Sequence, residues 1–358
     1  MSDLSVLDLF CGCGGISCGF QMAGFKILGG IDNAPFAIES YKHNFPNSLS
    51  QVGDLSNINF ERLKQDLVTS PDVIVGGPPC QGFSFAGNRL ESDPRNQLFH
   101  SFASAVSYFK PRAFLIENVV GLTQMAKGEI KNKISNIFKN IGYQVSSEIL
   151  NAADYGVPQS RKRVFFIGLK EKEFKFPNPT HGESSDLFYQ LKPYVTCSEA
   201  WEDIPSLAGD MKIEFKKDNF NDFVKEMRQD KGLDAAWLNH VGAKHSKAVL
   251  EAISHVPNGG DRRNLPQHLK DKRKYNTAFV RLHSGKPART VDTGHRQIFH
   301  YKFNRNPTVR ENARLQSFPD SFLFKGIKCQ QERQVGNAVP PLLIKAIASQ
   351  IKELLFGS

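Results

Sequence analysis

Through its first half the chain repeats one arrangement, a short apolar run, a turn, and a stretch with helical spacing. The runs are Val6-Leu7-Asp8-Leu9-Phe10, Lys26-Ile27-Leu28-Gly29-Gly30-Ile31, Asp72-Val73-Ile74-Val75 and Ala113-Phe114-Leu115-Ile116. Each is too short for a helix and too continuously apolar for a strand with one wet face, so each reads as a strand buried on both sides. Helical stretches near 16 to 23, 34 to 43, 97 to 109 and 127 to 141 separate them. Strands joined through helices need crossovers, and crossovers give a parallel sheet. The expected fold is therefore α/β, with a doubly wound, mostly parallel sheet. Two more strands at 145 to 150 and 163 to 169 are joined by 151 to 162 with no obvious helix, so this pair can be antiparallel.

The alternation stops after Pro177, and beyond about residue 206 the pattern is mixed and polar. It returns at Val339 to Leu355, where apolar residues at helical spacing follow Pro340-Pro341, a good helix start. With 358 residues the chain can build one large core and one small one. The expected domains are 1–205 completed by 334–358, and a second, smaller one over 206–333. Six cysteines without paired spacing, and no basic-then-apolar start, argue against a disulfide framework, a zinc site or export. No membrane span and a cytoplasmic location are expected.

Lys and Arg outnumber Asp and Glu by 46 to 36, and residues 261 to 314, with 14 basic and 4 acidic residues, hold an excess equal to that of the whole chain. Such an excess suits a polyphosphate partner, and equally a solvated basic face.

The strand Val6 to Phe10 runs into Cys11-Gly12-Cys13-Gly14-Gly15 and then a helix, the place where a doubly wound sheet binds nucleotide-like ligands. Asp32 ends the second strand at the spacing of a ribose-binding carboxylate, and Asp54 ends the third, where it can accept from an adenine amino group. Ser17 stands where a dinucleotide fingerprint needs its third glycine, which disfavours nicotinamide and flavin cofactors. S-adenosylmethionine fits better, having ribose and adenine but no pyrophosphate.

Cys80, after Gly76-Gly77-Pro78-Pro79, follows the fourth strand, and Glu117 ends the fifth on the same edge of the sheet. Arg161 and Arg163 alternate with Lys162, so both can face one side of a strand. Taken in order, Asp8-Leu9-Phe10 with its glycines, Pro78-Pro79-Cys80-Gln81, Glu117-Asn118-Val119, Gln159 to Arg163, Ala313 to Pro319 and Gln334 to Pro341 resemble the signatures of the cytosine-5 DNA methyltransferases of bacterial restriction and modification systems. The resemblance covers roughly 4 to 205 and 286 to 357.

It implies a Rossmann-like, class I S-adenosylmethionine-dependent methyltransferase domain with a target-recognition domain. It implies Cys80 as the nucleophile at carbon 6 of a flipped cytosine, Glu117 as the acid at ring nitrogen 3, Arg163 on the 2-oxo group and Arg161 supporting the catalytic loop. A free thiol with pKa about 8.5 is mostly protonated, and arginines nearby favour thiolate. For the cofactor it implies Phe10 near the adenine, Gly12, Gly14 and Gly15 in the loop, Asp32 on the ribose, Asp54 on the adenine amino group and Leu98 packed alongside, with Asn337 and Val339 closing the site. The implied partner is double-stranded DNA, bound by a monomer at the nucleoid, with a restriction endonuclease acting on the same sequence.

Flipping the base requires a loop that closes, and Gly82 to Arg89 suits that role. Gln81, Ser84 and Arg89 are expected at DNA, as are Asn258, Gly259, Gly260, Arg262 and Arg263 of the glycine-rich basic segment 256 to 266. Arg262 or Arg263 can read guanine or hold phosphate. Phe215, Phe220, Phe223 and Trp237 are expected in the core rather than stacked on bases. The alternatives are a tRNA cytosine-5 methyltransferase, whose Cys-Phe-Thr signature is missing, a dinucleotide oxidoreductase, which explains only the first loop, and a catalytically dead DNA-binding protein, against which Cys80 and Glu117 argue.

Overall fold

The computed structural model describes residues 4–79, 94–124, 129–170, 172–183, 190–207, 220–228, 237–270, 279–294 and 297–356. They form two compact units, Met1–Asn151 with Lys162–Asn178 and Ala338–Ser358, and Ala152–Arg161 with Pro179–Asn337.

The first unit is built on β1 (Ser5–Leu9), β2 (Lys26–Asp32), β3 (Leu49–Val52), β4 (Val73–Gly76), β5 (Ala113–Val119), β6 (Gln144–Asn151) and, after the two-residue β7 (Gln159–Ser160) of the other unit, β8 (Lys162–Leu169). The sheet order is β3-β2-β1-β4-β5-β8-β6. Every residue of β1 and β4 is buried, as strands covered by helices on both faces must be. Pairing is parallel from β3 through β5, while β8 lies antiparallel between β5 and β6. The expected doubly wound sheet and its antiparallel pair are both present.

Between the strands lie α1 (Gly15–Met22), α2 (Pro35–Asn44), α3 (Phe60–Leu67), α4 (Pro94–Phe109), α5 (Gly121–Gln124) and α6 (Glu129–Lys139). Sequence patterning misses α3, because eight residues offer an apolar stripe of only Phe60, Leu63 and Leu67. Its start is fixed by the Asn59 side chain, which accepts from the Arg62 N–H at 3.0 Å. The helix Pro341–Phe356 belongs to this unit and packs on α1. A Cβ on Gly19 would stand 2.5 Å from Ile344 Cβ, so α1 needs glycine there to let the two backbones approach. Lys352 Nζ closes the far end of α1 by donating to the carbonyls of Ala23 and Gly24 at 3.0 and 3.3 Å.

The second unit has short helices and two-residue strands, with apolar packing among Ala252, Ile253, Val256, Leu265, Phe279 and Phe299. Its bounds differ from those expected at 206 and 333, since it takes in Ala152–Arg161 and residues 179 to 205 as well as 334 to 337. Long-range bonds explain this. The Trp201 indole donates to the Glu311 carbonyl at 2.7 Å, and the N–H groups of Cys197 and Ser198 donate to the carbonyls of Lys286 and Ser284. Composition carries no trace of such bonds.

Four of the fourteen basic residues in 261 to 314 are spent inside this unit. Arg281, Arg305, Arg310 and Arg314 are all buried. Arg314 makes two-pronged pairs with Asp203 and with Asp320 at 2.6–3.0 Å, and Arg305 one with Glu311 at 2.7 Å on each prong. Of the four aromatics, Phe223 is buried and Phe220 and Trp237 are half-buried, Trp237 lying beneath the guanidinium groups of Arg228 and Arg314. Phe215 lies outside the described residues. Replacing Arg314 by Leu removes the two-pronged partner of Asp320 and leaves Asp203 to Arg228, and is expected to cost about 3–5 kcal/mol, read as a lowered urea midpoint; an unchanged midpoint would refute the network's role.

Candidate active site

The chain lays down β1, β2 and β3 in one direction and then returns to place β4 on the other side of β1. Helices on opposite faces diverge at such a reversal and leave a crevice at the carboxyl ends of the two central strands. The loop after β1 and the Gly77-Pro78-Pro79 segment after β4 both start there.

The first loop is sharply bent, with positive φ at Phe10 (63°), Gly12 (54°) and Gly14 (100°). Gly14 is required twice over, because a Cβ there would also stand 2.4 Å from the Phe45 ring. A Cβ on Gly15 would stand 2.6 Å from the Val339 carbonyl, so Val339 lies against the loop. Asp32 pins the loop from β2. Its Oδ2 accepts from the Gly12 N–H and its Oδ1 from the Ala34 N–H, each at 2.9 Å. Those two bonds leave lone pairs on the carboxylate for ligand hydroxyls.

Asp54 is exposed after β3, where its Oδ1 accepts from the Ser56 N–H at 2.9 Å and hydroxyl at 2.8 Å. These bonds hold its carboxyl below the usual range. It borders a cleft of about 190 Å³ lined also by Gln51, Gly53, Asn57 and Arg62. Leu98 is half-buried on α4, and Phe10 is half-buried beside the glycines. Asn337 is exposed at the end of the helix Lys328–Asn337 in the second unit.

Glu117 lies near the carboxyl end of β5, and Arg163 is the second residue of β8. The antiparallel register sets Val119 opposite Arg163 and Glu117 opposite Phe165. Across it Arg163 Nε meets Glu117 Oε1 at 2.9 Å, with the side chains 15% and 13% exposed. A Cβ on Gly77 would lie 3.1 Å from Glu117 Oε2, and Asn118 Nδ2 donates to the Pro78 carbonyl at 2.9 Å. The end of β5 thus holds the backbone two and three residues ahead of Cys80. Cys80 itself lies outside the described residues, as do Gln81, Ser84 and Arg89.

The two arginines do not share a role. Arg161 is buried in the second unit and donates to the carbonyls of Val291, Gly336 and Asn337 at 3.3, 2.9 and 3.5 Å, whereas Arg163 serves Glu117 in the first. Alternation in sequence does not put both on one face, because the chain passes from one unit to the other between Arg161 and Lys162.

The glycine-rich segment of the second unit is tightly tied. Gly259, at φ 74°, donates to the Leu282 carbonyl, the Gly260 carbonyl accepts from the Arg281 N–H, and Asn258 and Ser284 exchange two bonds at 2.7 and 2.9 Å. The buried Arg281 guanidinium braces this segment through the carbonyls of Val256 and Ile253. Arg262 is half-buried and donates to the Lys270 carbonyl at 2.7 Å. The Arg263 side chain is 90% exposed and paired with Asp261 at 2.7 Å.

Sequence reading missed Asn118, Arg281 and the buried set Asp8, Ser17 and Tyr41, in which the Ser17 hydroxyl donates to Asp8 at 2.7 Å and lies 2.9 Å from the Tyr41 hydroxyl. A charged residue inside an otherwise apolar strand was the available signal for Asp8. Among the described residues no group of three or more His, Cys, Asp or Glu can hold a metal ion, and no helix is long and apolar enough to cross a membrane.

A family model described as C-5 cytosine-specific DNA methylase matches residues 4–353. The chain is 40% identical to the type II methyltransferase M1.HphI of Haemophilus parahaemolyticus over 98% of its own length and 87% of that protein. It is 35% identical to the type II methyltransferase M.DdeI of Desulfomicrobium norvegicum, over 97% and 88%. A crystal structure of an E. coli prophage-encoded protein, described as a DNA modification methyltransferase, superposes with a TM-score of 0.79 at 30% identity, covering 99% of this chain and all of that one.

Exchanging Gly14 for Ala meets both the positive φ and the Phe45 ring, and is expected to lower stability by about 1–3 kcal/mol. A thermal melt indistinguishable from that of the unaltered protein would refute this account of the loop.

Proposed function

The chain belongs to the C-5 cytosine-specific DNA methylase family and is a DNA cytosine-5 methyltransferase, and from that premise we propose which of its residues carry the reaction and where it acts. S-adenosylmethionine, when bound, supplies the methyl group. Gly12, Gly14 and Gly15 let the backbone approach it, Asp32 receives its ribose hydroxyls, Asp54 its adenine amino group, and Phe10, Leu98, Asn337 and Val339 flank it. The bent loop, with lone pairs remaining on Asp32, fits such a ligand.

Carbon 5 of cytosine is a poor nucleophile. The Cys80 thiolate adds to carbon 6, forming a carbon–sulfur bond, while Glu117 protonates or strongly hydrogen-bonds ring nitrogen 3, and carbon 5 becomes enamine-like. After methylation the carbon-5 proton leaves to water and the thiolate is eliminated. Arg163 orients Glu117 and holds the 2-oxo group, and Arg161 fixes the backbone at 291 and 336–337 within the second unit. The observation that carries this assignment is the end of β5, where Glu117 is paired with Arg163 at 2.9 Å and the neighbouring Asn118 holds Pro78, two residues before Cys80.

The substrate is double-stranded DNA with the target base flipped out, since carbon 6 is shielded in the stack. Gln81, Ser84 and Arg89 meet the DNA from the loop after Cys80, with Asn258, Gly259, Gly260, Arg262 and Arg263 from the second unit. Of the two arginines Arg263 is the better placed, because its exposed guanidinium can exchange Asp261 for phosphate or guanine. The type II methyltransferases among the relatives support a place in a restriction-modification system, with a monomer acting in the cytoplasm on nucleoid DNA beside an endonuclease for the same sequence.

Incubation with S-adenosylmethionine and duplex DNA carrying 5-fluorocytosine in its recognition sequence, found by bisulfite sequencing of host DNA, is expected to trap a denaturation-resistant adduct. Cys80→Ala should give none, and Glu117→Gln should slow adduct formation about 10²–10⁴-fold; an undiminished adduct with Cys80→Ala would overturn the mechanism. Removing Arg262 and Arg263 should weaken DNA binding and flatten its salt dependence by about one to two in slope, with cofactor binding intact. An unchanged slope would remove these arginines from the DNA interface.

A further inference from the structure

The loop after β1 is backed by a carboxyl that the reaction above does not use. Asp8 is fully buried in β1, opposite Gly30 of β2 and Val75 of β4. Ser17, in the first turn of α1, donates to its Oδ2 from both the N–H, at 3.2 Å, and the hydroxyl, at 2.7 Å. Asp8 thereby ties the two ends of the cofactor loop together. The Ser17 hydroxyl has given its one proton to Asp8, so at their 2.9 Å separation the Tyr41 hydroxyl donates to Ser17. The other carboxyl oxygen, Oδ1, is buried and has no hydrogen-bond partner among the described residues.

Among the described residues nothing cationic is paired with this carboxyl. The titratable groups electrostatically coupled to it are Asp32, Cys11, Cys13 and Tyr41, all neutral or acidic. β4 carries no ionisable side chain, and Lys26 lies at the opposite end of β2 from Asp32. On α1 the ionisable residue is Cys18, and on α2 Glu39, Lys42 and His43 are exposed. On the helix packed against α1, Glu353 is exposed, Lys352 is spent on the carbonyls of Ala23 and Gly24, and Lys345 is half-buried. Burial pushes the Asp8 carboxyl up to about 7, Ser17 pulls it back in part, and Asp32 raises it again. The proton belongs on Oδ1, since Oδ2 already accepts twice.

S-adenosylmethionine carries a sulfonium cation that its demethylated product lacks. Resting on the cofactor reading above, we propose that Asp8 is a positioning residue that senses this charge, losing its proton to solvent when the cationic methyl donor occupies the loop and regaining one from solvent when the neutral thioether product remains. The only bond broken and remade is the carboxyl O–H, and over a turnover the protons balance. Asp8 in its ionised form favours the donor, and its reprotonation removes that preference once the methyl group has gone. The consequence is a donor-to-product preference that grows as pH rises through neutrality.

Isothermal titration of the protein with S-adenosylmethionine and with S-adenosylhomocysteine, from pH 6 to 8.5 in two buffers of different ionisation heat, tests this. The donor should release more protons than the product below pH 7, and the ratio of product to donor Kd should rise about three- to tenfold across the range. In Asp8→Asn that rise and the proton difference should vanish, and the α-amino group common to both ligands is unaltered by the change. The same rise in Asp8→Asn as in the unaltered protein overturns the proposal. Should that variant not fold, infrared spectra of the unaltered protein labelled with ¹³C-aspartate decide, through a protonated carboxyl band lost with the donor and kept with the product; a band unaffected by either ligand overturns it. Failure of both ligands to bind at any pH would sink the cofactor reading and this proposal together, whereas binding of both with a pH-independent ratio sinks the proposal alone.

Discussion

A doubly wound sheet has one reversal in strand order, and here it falls between β1 and β4. Chain leaving β1 must make room for a helix on one face, and chain leaving β4 for a helix on the other, so both loops open onto the same crevice. The site residues of the first unit then follow from where strands end. Asp32 and Asp54 stand at the ends of strands laid down before the reversal, and Glu117 at the end of one laid down after it. The residues proposed for the cofactor and those proposed for the base thereby fall on the two halves of one sheet without any long excursion of the chain.

The features that rested on period and order were legible beforehand. Continuous apolar runs announced β1, β2, β4 and β5, and the missing helix between residues 151 and 162 announced the antiparallel pair. What could not be read was which long-range bond a polar side chain makes. Arg161 and Arg163 look equivalent in sequence, yet one is consumed by three backbone carbonyls and the other by Glu117. The extent of the second unit was hidden for a similar reason, since Trp201 joins it through an indole bond to a carbonyl 110 residues away and through stacking on His300 and Tyr301. Cys80 and the loop that follows it are known from sequence alone.

Net charge proved a poor guide to the surface. The same stretch that appeared to offer a basic face to DNA puts Arg281, Arg305, Arg310 and Arg314 into the interior, where they satisfy backbone carbonyls or carboxylates. A small unit with two-residue strands has little sheet to organise it, and guanidinium groups with five donors each substitute by bonding several segments at once. The exposed Arg263 is a different kind of residue, although composition counts it the same.

The packing of Pro341–Phe356 against α1 has a consequence for biosynthesis. Gly15 and Gly19 meet chain that is translated more than three hundred residues later. A ribosome-bound chain carrying the whole sheet still exposes the side of α1 made narrow by those glycines, and the loop ahead of that helix lacks one of its walls. Such a distant pairing is slow to find, and it leaves the wall behind the first loop to the emergence of the last helix. A truncated translation product therefore carries a sheet with an unfinished crevice.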